Sequence, residues 1–341
     1  MRGLPLASVI LGGLAFATGP ARAQTAEPFS GRTLQMVIGV SPGGGYDLWG
    51  RVVSRHLGGF LSGKPAIAPQ NMPGAGSLTA LNYLYNVAPR DGTALGIVAR
   101  DAPLAPLQGA GGPRFDATKL SWIGTPALET NVCVGWHGAR VKNVRDLRTM
   151  EMVLGTVGPG TGSHSYPKAL ASLLGFKFRL VPGFPGSADV FLAMERGEVD
   201  GFCESLDSVT GKRPDWIRSG KVNVLFQAGA EKHPDLPEAP LVLDLASMPE
   251  ERAAIEFLYA GQGIGRPFIA PPGLPPERLA LLRDAFDAML KDPDFQADAK
   301  KQGLDLQPRS GADLEVFVKK IHATPKDIVA RVGALVSEGE K

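Results

Sequence analysis

The sequence predicts an α/β protein of two lobes, each a mixed sheet flanked by helices, with a cleft between them. Three observations carry that prediction. From Thr33 onward strand-like runs alternate with helical ones, the mark of βαβ units. Two glycine-rich loops, Ser41-Pro42-Gly43-Gly44-Gly45-Tyr46-Asp47 and Gly158-Pro159-Gly160-Thr161-Gly162-Ser163-His164, each stand between a strand-like run and a helical one, as two half-sites facing a cleft would. The 318 residues that remain after an N-terminal export segment exceed the roughly 250–300 that a single core usually serves.

The export segment is residues 1–23. Arg2 supplies a charged start, Leu4 to Ala17 an apolar stretch, and Ala21-Arg22-Ala23 a small-x-small cleavage site before Gln24. The expected location of the mature chain is the periplasm. No later apolar stretch reaches the length of a membrane span. Without residues 1–23 the basic side chains number 34 against 34 acidic ones, so the net charge is near zero and a nucleic-acid partner is not expected. The five histidines are scattered and neither cysteine belongs to a ligand cluster, so neither metal nor cofactor is expected. Cys133 and Cys203 lie in apolar, strand-like surroundings, where an oxidising compartment permits a disulfide and two buried thiols are the alternative.

In chain order, Leu34–Val40 reads as the first strand, followed by a helix from about Asp47 to Leu57. Ala66–Ala68 is a short strand ending in the glycine-rich Asn71-Met72-Pro73-Gly74-Ala75-Gly76-Ser77, with Ser77 placed to cap a helix over Leu78–Val87. Pro89-Arg90-Asp91-Gly92 turns the chain into a strand at Leu95–Ala99, and residues 100–120 read as a loop. A second series opens near Ser121, with strands at Trp122–Gly124, Val132–Trp136, Met152–Val157, Phe176–Val181 and Val199–Phe202, and Val222–Gln227 is a strand expected to return towards the first lobe. Helices at Tyr166–Leu174 and Gly186–Arg196 lie among them. The tail adds helices at Pro249–Tyr259, Pro276–Leu290, Pro293–Lys301 and Ala312–Val336 and a strand at Phe268–Ala270. The expected division is 24–125 with 228–341 in the first lobe and 126–227 in the second, joined by two crossings.

The glycine loops carry the chemistry. Glycine has no Cβ to hold a ligand away and tolerates positive φ. The first N–H groups of the following helix lack internal partners and sit at the positive end of its dipole, so an anion is favoured there. Nucleotide motifs are absent: the Gly43-Gly44-Gly45 run lacks dinucleotide spacing, and no glycine loop ends in Gly-Lys-Ser/Thr. Ser163 is flanked at two residues by Thr161 and Ser165 rather than by the glycines of a nucleophile elbow.

The ordered set Pro42-Gly43-Gly44-Gly45-Tyr46-Asp47, Asn71-Met72-Pro73-Gly74-Ala75-Gly76, Ala88-Pro89-Arg90-Asp91-Gly92-Thr93, Gly158 to His164, Pro185-Gly186-Ser187-Ala188, Gly197-Glu198-Val199-Asp200 and Ala270-Pro271-Pro272-Gly273-Leu274-Pro275 resembles the Bug family. These are extracytoplasmic solute receptors of tripartite tricarboxylate transporters, and the resemblance spans the mature chain. It implies a periplasmic-binding-protein-like fold that closes on a small organic acid, a carboxylate, as a monomer and hands it to membrane permease subunits. It also implies ligand contacts at Ser41, Gly43, Gly44, Gly45, Tyr46 and Asp47 and at Gly160, Thr161, Gly162, Ser163 and His164. The chain departs from the family pattern at Tyr46, at Thr93–Ala94 and in the longer Val181-Pro182-Gly183-Phe184-Pro185-Gly186 segment, all beside the expected pocket.

Each residue also has a structural reading. Asp47 is a ligand contact or a helix-start carboxylate that accepts N–H bonds, and the second better suits an anionic ligand. Tyr46 lines the pocket or covers the lobe surface. Thr161 and Ser163 donate to the ligand or cap their helix, and His164 touches ligand or serves the fold. Arg100, after the strand Leu95–Ala99, and Arg266, before Phe268–Ala270, pair with a ligand carboxylate or lie at the surface. Phe184 and Trp136 belong to the core. The leading expectation is a binding protein without catalysis; the alternatives are an exported hydrolase or lyase acting on a small acid, and a sensing partner of a signalling receptor.

Overall fold

The computed structural model describes residues 28–337 apart from Ala110 and Gly160, so the export segment and Gly160 lie outside the described residues. In chain order the elements are β1 (Thr33–Ile38), α1 (Gly45–His56), β2 (Ala66–Asn71), α2 (Leu78–Asn86), β3 (Ala94–Ile97), β4 (Ser121–Thr125) and β5 (Asn131–Trp136). Then follow β6 (Met152–Gly155), α3 (Gly162–Leu174), β7 (Phe178–Val181), α4 (Ser187–Glu195), β8 (Gly201–Ser205), α5 (Leu206–Lys212) and β9 (Val222–Ala228). The chain ends with α6 (Pro249–Leu258), α7 (Ala260–Ile264), β10 (Phe268–Ala270), α8 (Pro276–Leu290), α9 (Pro293–Lys301), β11 (Arg309–Ser310), α10 (Gly311–His322) and α11 (Lys326–Ser337).

The strands form two mixed sheets, in the orders β11-β4-β10-β3-β1-β2 and β7-β6-β8-β5-β9. In the first, β2, β1 and β3 run parallel and β10 and β11 antiparallel to their neighbours. In the second, β7, β6 and β8 run parallel, and β5 pairs antiparallel with both β8 and β9. The period-2 alternation of a strand sorts its side chains between layers. On β1, Leu34, Met36 and Ile38 join the core that contains Trp49 of α1 and Phe286 of α8, while Val37 joins the core on the other face with Leu81 and Leu84 of α2. Val190, Phe191 and Met194 of α4 cover a smaller core with Phe202 of β8 and Trp216.

Several sequence expectations need correction. The strand at Trp122–Gly124, which opens the second series in sequence, is β4 of the first sheet, between β11 and β10, on the first-lobe side of the expected division. The single helix over Ala312–Val336 is two, because Pro325 lacks the N–H that a continuing helix needs and restricts Thr324 before it. The helix α5 and the strand β11 were not legible. Ser77 does not cap α2: its backbone is left-handed (φ 77°), and its hydroxyl instead donates to Gly39 O (2.9 Å) and accepts from Ala99 N (3.0 Å), pinning the ends of β1 and β3 together. Cys133 and Cys203 stand opposite each other on β5 and β8 and form a disulfide, which resolves the alternative left open above.

Candidate functional site

The loop between β1 and α1 is held from inside. Asp47, in the first turn of α1, is 3% exposed. It accepts from Gly43 N–H (2.9 Å), Arg51 Nε (3.0 Å) and Asn71 Nδ2 (2.8 Å), and Arg51 Nη2 reaches Asn71 Oδ1 (2.7 Å). Burial works against the charged carboxylate, but these hydrogen bonds outweigh it and hold its pKa below the usual value. Asp47 is therefore the helix-start carboxylate of the two readings. Gly43 needs its missing Cβ, because its φ is 95°; Gly44 has an ordinary extended backbone with open space around it, so no steric demand for glycine exists there. Ser41, Gly43, Gly44 and Gly45 are exposed.

Beside this loop a cavity of about 270 Å³ draws its walls from both sheets. Gly45, Leu48 and Trp49 of α1 and Arg266 before β10 come from the first, Leu206 and Asp207 at the start of α5 from the second. The crossing from β4 to β5 contributes Ala127 to Thr130, and His233 and the stretch Gln302–Gln307 complete the wall.

The centre of the charge is Glu129, whose side chain is 6% exposed. Both arginines expected from the sequence turn to it: the Arg100 guanidinium pairs with Oε2, and Arg266 Nη2 lies 2.5 Å from Oε1. Neither contact has hydrogen-bond geometry, and both are Coulombic ion pairs. Arg266 stacks over the Tyr46 ring at 4.3 Å, and the Tyr46 hydroxyl accepts from Arg100 N–H (2.9 Å). Tyr46, Arg100 and Arg266 are thus brought together, and neither arginine is at the surface. Glu129 escaped the sequence reading; its signal was that it is the one charged residue in the stretch 121–136.

Four buried polar atoms in this region have no hydrogen-bond partner among the described residues: Arg100 Nε, Glu129 Oε1, Asn131 Oδ1 and Gln262 Oε1. Gln262 belongs to the neighbourhood because its carbonyl accepts from Glu129 N–H. Buried polar groups are normally satisfied, so their concentration at the crossing between the sheets marks a place where a solute or solvent is expected to supply partners. Asp207 is open to solvent in the cleft yet crowded by protein; burial, and then Asp305, push its carboxyl above the ordinary value.

The second glycine loop behaves differently. Thr161, Gly162, Ser163 and His164 do not line the cavity. Thr161 Oγ1 donates to Gly158 O (2.6 Å) and makes no capping bond to α3. Ser163, 2% exposed, accepts from Val157 N–H (3.3 Å) and meets Thr161 Oγ1 (3.1 Å). His164 Nδ1 pairs with Thr156 Oγ1 (3.0 Å) rather than with Ser163, and burial, aided by Lys168, lowers its pKa towards the neutral form. Tyr166 of α3, one turn on, also lies outside the cavity lining; its hydroxyl accepts from Gln262 Nε2 (3.3 Å) and lies near Arg100. Phe184 and Trp136 pack against the second-sheet core, as expected of core residues.

The model of the tripartite tricarboxylate transporter family receptor matches residues 51–334. A UPF0065 protein in the gbd 5'region of Cupriavidus necator is 25% identical over 354 residues, covering 97% of this chain and 95% of that one. Among solved structures, a TctC solute binding protein from Polaromonas superposes with a TM-score of 0.69 at 18% identity, covering 88% of this chain and 98% of that one. MatC from Rhodopseudomonas palustris, solved with bound malate, gives 0.54 at 20% identity, covering 88% and 100%. The two-sheet architecture is shared with both.

Proposed function

We propose that this chain, which belongs to the tripartite tricarboxylate transporter receptor family, is a periplasmic solute-binding protein that captures a small organic acid between its two sheets. It then delivers the acid to the permease subunits of a tripartite transporter. The family model and the malate carried by a structural relative support the carboxylate. The observation that carries the reading is the polar cavity walled by both sheets, with Arg266 and the N-terminus of α1 at Gly45 in its lining. We place the ligand against the N-terminus of α1 at Gly45, beside Tyr46 and Arg266. Leu206, Asp207 and His233 form the opposite wall. The lobes divide as 24–125 with 228–341 and 126–227, and the working unit is a monomer without catalytic activity.

A thermal-shift screen of the mature protein against mono-, di- and aromatic carboxylates tests the reading. A ligand at 100 times its Kd stabilises by about 2.7 kcal/mol, several degrees for a protein of this size. The expected result is at least one carboxylate that raises the Tm and is recovered chemically unchanged after long incubation. A silent panel would remove the carboxylate-receptor reading, and a converted ligand would replace it with an enzyme.

A further inference from the structure

Glu129 does to the two arginines of the cleft what a ligand carboxylate would do. It is buried, it belongs to the crossing between the sheets, and it pairs with Arg100 and Arg266 at once. A carboxylate tethered to the chain has no translational freedom to lose on pairing, whereas a free ligand does. Removing one partner from a buried ion pair is also costly. The arginines are thus already neutralised, and a ligand anion has to find its donors elsewhere, at the N–H groups of α1 next to Gly45.

The rest of the wall adds charge of the same sign. Asp207 and Asp305 both line the cavity, and neither has an ion-pair partner among the described residues; His233 is the remaining titratable group there. Two arginines thus meet four carboxylates, since Arg100 also pairs with Asp101 (3.7 Å) beside those of Glu129, Asp207 and Asp305. A second or third negative charge on a ligand would enter a cleft with no cation left to receive it. Like charge placed against an unwanted ligand is how binding sites build specificity.

We propose that the cleft selects a carboxylate whose net charge is no more negative than −1, a monocarboxylate or a zwitterionic amino acid, against di- and tricarboxylates, with Glu129 and Asp207 as the selecting residues. This rests on the receptor reading above and narrows its ligand.

The test is calorimetric titration with three sets graded in charge: succinate, butyrate and 4-aminobutyrate; adipate, hexanoate and 6-aminohexanoate; terephthalate, benzoate and 4-(aminomethyl)benzoate. Each is measured at one ionic strength on the wild type, Glu129→Gln and Asp207→Asn. In every set that binds, the dicarboxylate is expected to be at least about tenfold weaker than the better of its two partners. Asp207→Asn should narrow that ratio and Glu129→Gln should abolish or reverse it. Glu129→Gln removes the buried counter-ion of both arginines, leaving Arg100 only Asp101, and risks misfolding; Asp207 is open to solvent, so Asp207→Asn carries the test alone if needed. Dicarboxylates that match or exceed their partners in the wild type would overturn the inference and leave the receptor reading standing. A ratio unchanged in the folded variants would likewise overturn it. No heat from any compound would count against both.

Discussion

Asp47 illustrates how a carboxylate can sit in an anion-favouring loop without opposing an anion. Its lone pairs are consumed by Gly43 N–H, Arg51 and Asn71, so it organises the loop and leaves the helix N–H groups free. Loss of that acceptor leaves the Gly43 N–H, the Asn71 amide and Arg51 without their partner, and hydrogen bonds to charged groups are worth about 1.5–3 kcal/mol each. Asp47→Ala is therefore expected to lower stability by about 2–3 kcal/mol at neutral pH, read by denaturant titration. The folded-state pKa is depressed, so this contribution is present above the unfolded value and lost as pH falls through the carboxylate range to the folded value. The gap between variant and wild type should close in acid, and a gap independent of pH would contradict the charged network. At this scale the sequence exposed what local order decides: an acid in a first helical turn, glycines before it, arginines near strand ends. It could not expose Glu129 as their partner, because that pairing exists only once the crossing from β4 to β5 carries residue 129 between Arg100 and Arg266.

Elements with strong periodicity were legible because their signals are short-range. The strands Leu34–Val40 and Val132–Trp136 were found within two residues of β1 and β5, and Pro276 and Pro293 marked the starts of α8 and α9. Sheet membership was harder, since β4 reads like any buried strand and only β10 and β11 place it in the first sheet. The disulfide lay between these cases: both cysteines were legible on strands, but their register was not. Paired across β5 and β8 at a sequence separation of 70, they remove loop entropy from the unfolded chain. For a loop of that length the chain-entropy account gives about 4 kcal/mol, and removal typically costs about 2–5 kcal/mol. Denaturation of the oxidised protein and of a Cys133→Ala/Cys203→Ala variant should differ by an amount in that range. Equal midpoints would show that the cross-link constrains nothing that the β5–β8 ladder does not already hold.

In the whole molecule, the two sheets are tied by more than the two crossings that the sequence suggested. The C-terminal helix α11 packs against α3, which flanks the second sheet, and against α6, which lies on the return to the first. Leu170 of α3, Ile255 of α6 and Val332 of α11 belong to one continuous apolar core. Close-packed interiors deform little, so a change of angle between the lobes has to pivot about this seam. The polar cleft at Glu129 is the place with loosely satisfied groups and open volume, and motion concentrates where packing and hydrogen bonding are weakest. Closure over a ligand there would shorten the molecule across the cleft. Small-angle scattering of the mature protein with and without a saturating ligand from the screen should then record a smaller radius of gyration. The change should be modest, because the seam holds one side fixed. A superimposable curve would reject closure while leaving binding intact, and would mean that the ligand is received by a cleft already shaped around it.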